Sequence, residues 1–204
     1  MEFSNVRGFS AFCVGVAILA APIVSAMPAE KSRSIRAELL SVQGVRVREI
    51  TSSVEVAFSP DGGAEALVLR LIGSAETTIR LAGYSFTSPS IVRHLIEAKR
   101  RGVDVAIVVD SKGNSGLKSV QALNLLAHAG ISTRLLDRYA IHHDKYIVVD
   151  AKHVETGSYN FTTSAATRNS ENVLVIWNNS TLAARYLRHW QSRFDQGVEF
   201  RTTY

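Results

Sequence analysis

The chain has 204 residues, 46% hydrophobic and 20% charged, with 13 Gly, 4 Pro and a single Cys. That is enough apolar material for one domain with a true core, and it excludes disordered, fibrous and disulfide-stapled classes as well as multi-thiolate zinc sites. A formal net charge of +5 and a pI near 9.6 favour an anionic partner, without choosing among nucleic acid, lipid headgroup or a smaller anion.

Residues 1–26 read as a signal peptide. Arg7 gives a basic start, Gly8 to Met27 carries no charge, and Pro22 precedes the small-residue cleavage site Val24-Ser25-Ala26. The alternative is a retained anchor, since this uncharged run is just long enough to span a bilayer. Export to the periplasm or medium is expected. Cys13 falls inside the leader, so the mature chain would be free of thiols, as suits an oxidising compartment. Residues 27–53 form a basic extension with Lys31, Arg33, Arg36, Arg46 and Arg48 against three glutamates. A short helix over 34–41 and a mobile arm both remain open there.

From Val54 onward apolar runs alternate with helical stretches, and residues 54–204 form the expected catalytic domain. The pattern predicts a strand at 54–58, a turn at Ser59-Pro-Asp-Gly-Gly63, a helix over 64–74 and a strand over 77–84. Ser88-Pro89 starts a helix that runs into Lys99-Arg100-Arg101 and stops at Gly102; those charges complement the helix dipole first, with a nucleic-acid contact as the second reading. A strand over 103–109 and a helix over 117–129 follow. Further strands are expected at 132–136, 146–149, 153–156 and 172–177, with helices over 160–167 and 181–195. Such alternation means an α/β fold, a mixed β-sheet flanked by helices on both faces.

The densest polar cluster in an apolar setting is Ile141-His-His-Asp-Lys-Tyr-Ile-Val-Val-Asp150, which contains His143-x-Lys145-x4-Asp150. Given six His, six Lys and seven Asp in the chain, chance predicts only about 0.006 such matches. Gly157-Ser158-Tyr159-Asn160 follows, and Glu171-Asn172 opens the next apolar run. Together these residues resemble the phospholipase D superfamily, and within it the small exported bacterial endonucleases that carry a single motif. Ala82-Gly-Tyr-Ser-Phe-Thr87, Lys99-Arg-Arg-Gly-Val-Asp-Val105, Val154-Glu-Thr-Gly-Ser-Tyr-Asn-Phe161, Asn169-Ser-Glu-Asn172 and His189-Trp190 look like that branch. The resemblance covers about residues 54–204 and implies an α-β-α sandwich that requires no metal or other cofactor.

On a strand, His143 and Lys145 share a face, whereas Asp150 has the opposite parity. His143 and Lys145 are therefore placed at the reacting phosphate. Asp150, the third member of the motif and so carried into the catalytic set, is expected to support the loop or a subunit contact. Ser158 and Asn160, at a strand end before a helix, make a phosphate cradle. Phosphodiester cleavage needs a nucleophile, an acid for the leaving oxygen and donors for the phosphoryl oxygens. A neutral imidazole can attack phosphorus to form a phosphohistidine that water hydrolyses, and a second imidazolium protonates the leaving group. Lys145 and Asn160 would hold the charged oxygens, and Glu171 would fix an imidazole tautomer. The resemblance implies the same roles. One motif per chain then calls for a two-fold homodimer that presents His143 twice.

The plainer readings place His142 as a structural or rim residue and His94, His128 and His189 on helices at the surface or the core edge. A metal cluster of His142, His143, Asp144 and His153 is disfavoured because adjacent side chains on a strand diverge. Gly113-Asn-Ser-Gly116 lacks the lysine spacing of a nucleotide loop and reads as a turn. The expected activity is nonspecific hydrolysis of DNA and RNA. A phospholipase acting on phosphatidyl lipids and a non-catalytic nucleic-acid-binding module are the rivals, and net charge with no obvious lipid-docking insertion favours nucleic acid.

Overall fold

The computed structural model describes residues 51–202, so the expected leader, and residues 27–50 of the expected extension, lie outside the described residues. In chain order the elements are β1 (Ser53–Ser59), α1 (Ala64–Gly73), β2 (Thr78–Gly83), α2 (Pro89–Arg100), β3 (Asp104–Asp110), α3 (Leu117–His128), β4 (Ser132–Leu136), β5 (Lys145–Val149), β6 (His153–Gly157), α4 (Thr163–Thr167), β7 (Glu171–Trp177), α5 (Ser180–Gln196) and β8 (Val198–Glu199). They form one eight-stranded sheet in the order β1-β7-β6-β5-β2-β3-β4-β8. β2, β3 and β4 run parallel, and every other neighbouring pair is antiparallel.

Side-chain alternation along the central strands divides the core in two. Ile79 and Leu81, Val105 and Ile107, and Ile147 and Val149 point to one face, where Leu71, Leu95 and Leu123 of α1, α2 and α3 cover them. Ala82, Ala106, Val108, Tyr146 and Val148 point to the other face, which Ala183 and Trp190 of α5 cover. Burial on both faces explains why these strands read as nearly unbroken apolar runs. The Trp190 indole N–H donates to the Leu81 carbonyl at 2.9 Å and pins α5 to the central strand. The expected sandwich is the observed one.

Local signals act as expected at several ends. The Ser88 hydroxyl accepts the Ile91 N–H at the start of α2, with Pro89 in the first turn. Gly102 breaks the chain away from α2 at φ 92°, whereas Arg101, expected to serve the dipole of its own helix, donates instead to the Gly73 and Ala75 carbonyls at the end of α1. Two differences bear on the site, and a third lies at the sheet edge. β5 begins at Lys145, so His143 lies in the irregular segment before it. α4 starts only at Thr163, capped by the Thr162 hydroxyl, so Asn160 precedes the helix rather than opening it. The short β8, which pairs with β4, has no clear pattern in sequence.

Candidate active site

The site gathers at one end of the central strands, where β2 and β6 finish and β5 and β7 begin. Register brings Gly83 opposite Lys145, and Tyr146 opposite Thr156. Gly157 is required here because an added Cβ would lie 2.2 Å from the Asn172 carbonyl oxygen. Only glycine lets β6 and β7 approach closely enough to set Ser158 beside Glu171.

His143 and Lys145 stay together although no strand joins them. The Lys145 ammonium donates to the His143 carbonyl at 3.0 Å. The Tyr84 ring lies 4.9 Å from the His143 ring, centroid to centroid, and 5.3 Å from the Lys145 nitrogen. Lys145 is buried, which lowers its pKa, while the carboxylates of Asp144 and Glu171 counter that shift. A partly desolvated cation held this way is a strong partner for a phosphoryl oxygen.

The second group surrounds Glu171. Ser158 Oγ donates to Glu171 Oε2 at 2.5 Å, and Asn169 Nδ2 donates to Oε1 at 2.9 Å. The same Ser158 oxygen accepts from the Asn172 backbone N–H at 3.1 Å. Glu171 is thus fixed by two donors, one on each carboxylate oxygen, and forms no hydrogen bond with an imidazole among the described residues. Asn160 is half-buried, and its Oδ1 has no hydrogen-bond partner among the described residues.

Asp150 does not join them. It sits at the β5–β6 turn with φ 52°, at the opposite end of β5 from Lys145, about 16 Å away at strand rise. Its carboxylate accepts the backbone N–H groups of Glu76, Thr77 and Thr78 and the Thr77 hydroxyl. Burial pushes its pKa up, but those donors together outweigh it and hold the group below the usual carboxylate range. The motif's aspartate is a clamp between two strand ends, which corrects its placement in a catalytic set.

His153 also lies apart from the other three residues of the disfavoured metal cluster. His153 packs on Trp177 with ring centroids 5.0 Å apart and accepts the Asn178 N–H, at the Asp150 end of the sheet. His142 is buried on the α5 side, its Nδ1 3.3 Å from the Asp144 carboxylate, and burial lowers its pKa. His189 hydrogen-bonds Tyr146 at 2.9 Å, joining α5 to β5. These contacts place His142 in the interior and His189 at the core edge.

Sequence reasoning missed a polar clip beneath the site. The buried Asp110 accepts the His142 N–H at 2.8 Å and the Gly113 N–H at 2.6 Å. The buried Asn114 donates to the Tyr84 and Asp110 carbonyls and accepts the Phe86 N–H. The loop read as a plain turn therefore holds both the segment carrying His143 and the backbone of Tyr84. A polar pair closing an apolar strand was the available signal, but its partners lie 28 to 32 residues away.

The family model described as "Cardiolipin synthase, PLD-like domain" matches residues 68–196. Phospholipase D of Rickettsia conorii is 34% identical over 163 residues, covering 79% of this chain and 80% of that protein. Mitochondrial cardiolipin hydrolase of Homo sapiens is 31% identical over 137 residues, 67% of this chain and 54% of that protein. The crystal structure of Nuc from Salmonella typhimurium, a phospholipase D family member, superposes with a TM-score of 0.73 at 52% identity, covering 74% of this chain and 99% of that one. Their shared fold and the paired His143 and Lys145 at its strand ends lead to one conclusion: the chain belongs to the phospholipase D superfamily and is a phosphodiester hydrolase.

Proposed function

We propose that the protein is an exported, metal-independent endonuclease that hydrolyses DNA and RNA with little sequence preference. The observation that carries this reading is the half-site itself. His143 and Lys145 lie against the half-buried aromatic face of Tyr84, in a chain of net charge +5. Cationic charge tracks a phosphate backbone, and an aromatic face accepts any base.

In the mechanism, a His143 imidazole nitrogen forms a bond to phosphorus as the bond to the leaving oxygen breaks. A second imidazolium gives that oxygen its proton. Water then attacks phosphorus, loses a proton to the second imidazole and releases the first. Lys145 and Asn160 hold the phosphoryl oxygens, and Glu171 orients an imidazole.

The second imidazole is His143 of a partner subunit in a two-fold dimer. An exposed apolar row on β1 supports such an assembly: Val54, Val56 and Phe58 are 59%, 54% and 56% exposed. They stand opposite Ile176, Leu174 and Asn172 of β7, so the row ends beside Ser158.

Phospholipid hydrolysis is the second reading, favoured by the relatives named phospholipase D. Nuclease activity in EDTA, assayed beside headgroup release from phosphatidyl lipid vesicles, tests the proposal. Headgroup release without DNA cleavage would replace it with the lipid reading.

A further inference from the structure

A trough of about 650 Å³ runs between α2 and α3 and ends at Thr163 and Ser164 of α4. Val92, Ile96, Ala122 and Leu125 make its aliphatic part. Leu125 is 56% exposed, and Leu117, two turns earlier on α3, is 74% exposed. Helical spacing places both, with the exposed Gln121, on one outward stripe.

The rim is cationic. Arg93, Arg100 and Lys118 line it against a single acid among the described residues, Glu97. None of the three cations forms an ion pair within 4.0 Å among the described residues, although five such pairs occur elsewhere. Unpaired cations bordering exposed leucines call for a partner that is both anionic and aliphatic. Nucleic acid supplies the charge, but its bases seek aromatic faces, and among the described residues no aromatic side chain lines the trough.

We propose that the α2–α3 face docks on an anionic phospholipid bilayer, with Leu117 and Leu125 entering the interface and Arg93, Arg100 and Lys118 at the headgroup phosphates. Docking is separate from hydrolysis, because none of these residues belongs to the His143 site. It holds whichever phosphodiester that site cleaves.

Cys13 is the only thiol, so the test uses the full chain carrying Cys13→Ser and Gln121→Cys, labelled at position 121 with an environment-sensitive dye. The probe reports this face alone, whatever other segments do. Vesicles containing phosphatidylglycerol should shift the emission to the blue and shield the dye from aqueous quencher, and pure phosphatidylcholine vesicles should not. Adding Arg93→Glu with Lys118→Glu should weaken the anionic partition at least about tenfold. Adding Leu117→Asp with Leu125→Asp should abolish the blue shift. Both pairs should leave hydrolysis of bis(p-nitrophenyl) phosphate unchanged. An unchanged dye with anionic vesicles, an equal response to both vesicle types, or the same shielding by a short DNA duplex would each overturn the proposal. Failure of the proposed activity would appear instead in the hydrolysis assay.

Discussion

The Asp110 carboxylate accepts the backbone N–H of His142 at 2.8 Å across 32 residues of sequence, tying the end of β3 to the segment that carries His143. Asp110→Ala strands two N–H groups, each worth about 1–3 kcal/mol when buried without a partner. The expected result is a loss of at least about tenfold in kcat with KM little changed, measured on protein shown to be folded. Asp110→Asn keeps one acceptor oxygen and should recover part of that loss. Wild-type kcat in folded Asp110→Ala would remove the clip from any positioning role.

His143→Ala should abolish turnover while leaving the thermal midpoint and nucleic-acid binding close to wild type. In a shared site one substitution removes both attacker and acid. Wild-type chains refolded with an excess of the variant should therefore lose activity per wild-type chain as the ratio rises. Activity independent of the ratio would show that one chain holds a complete site.

Activity should persist in excess EDTA, since Lys145 and Asn160 meet the phosphoryl charge. Loss on chelation that one added divalent metal reverses would rule out this mechanism.

Asp150→Ala should lower stability and leave activity per folded molecule nearly intact, because the carboxylate caps Glu76, Thr77 and Thr78 far from His143. Its pKa is depressed in the folded chain from a reference of 3.8. The stabilisation is therefore complete above the unfolded value and disappears as pH falls through the folded one. Urea unfolding at a series of pH values should show wild type and variant converging in acid. A gap constant down to pH 2 would contradict the clamp.

Glu155 has the opposite sign. It is fully buried in β6, its two oxygens have no partner among the described residues, and burial raises its pKa well above the usual glutamate range. Above the unfolded value the folded chain binds the extra proton, so stability falls as pH rises until the folded value is passed. Glu155→Met should be more stable than wild type near neutrality, with a gain that grows from about pH 4 upward. A variant less stable at every pH would mean that the carboxyl has a partner worth more than its burial costs.

The α/β class and most elements were legible in the sequence, because apolar periodicity is a local property, whereas His143, Lys145, Ser158, Asn160 and Glu171 became site candidates through motif spacing and the family resemblance. Ser88-Pro89 and Gly102 marked the ends of α2 through backbone preferences that act within a turn. At Asp150 the strand parity pointed away from the reacting phosphate and motif membership pointed toward it, and five residues of strand carry the carboxylate to the far end of β5. Only tertiary structure brought Tyr84, Asp110 and Asn114 to the catalytic segment, through bonds spanning about thirty residues that leave no periodic trace. The same holds for the trough between α2 and α3: each helix alone shows an ordinary amphipathic stripe, and the groove exists only where the two pack side by side.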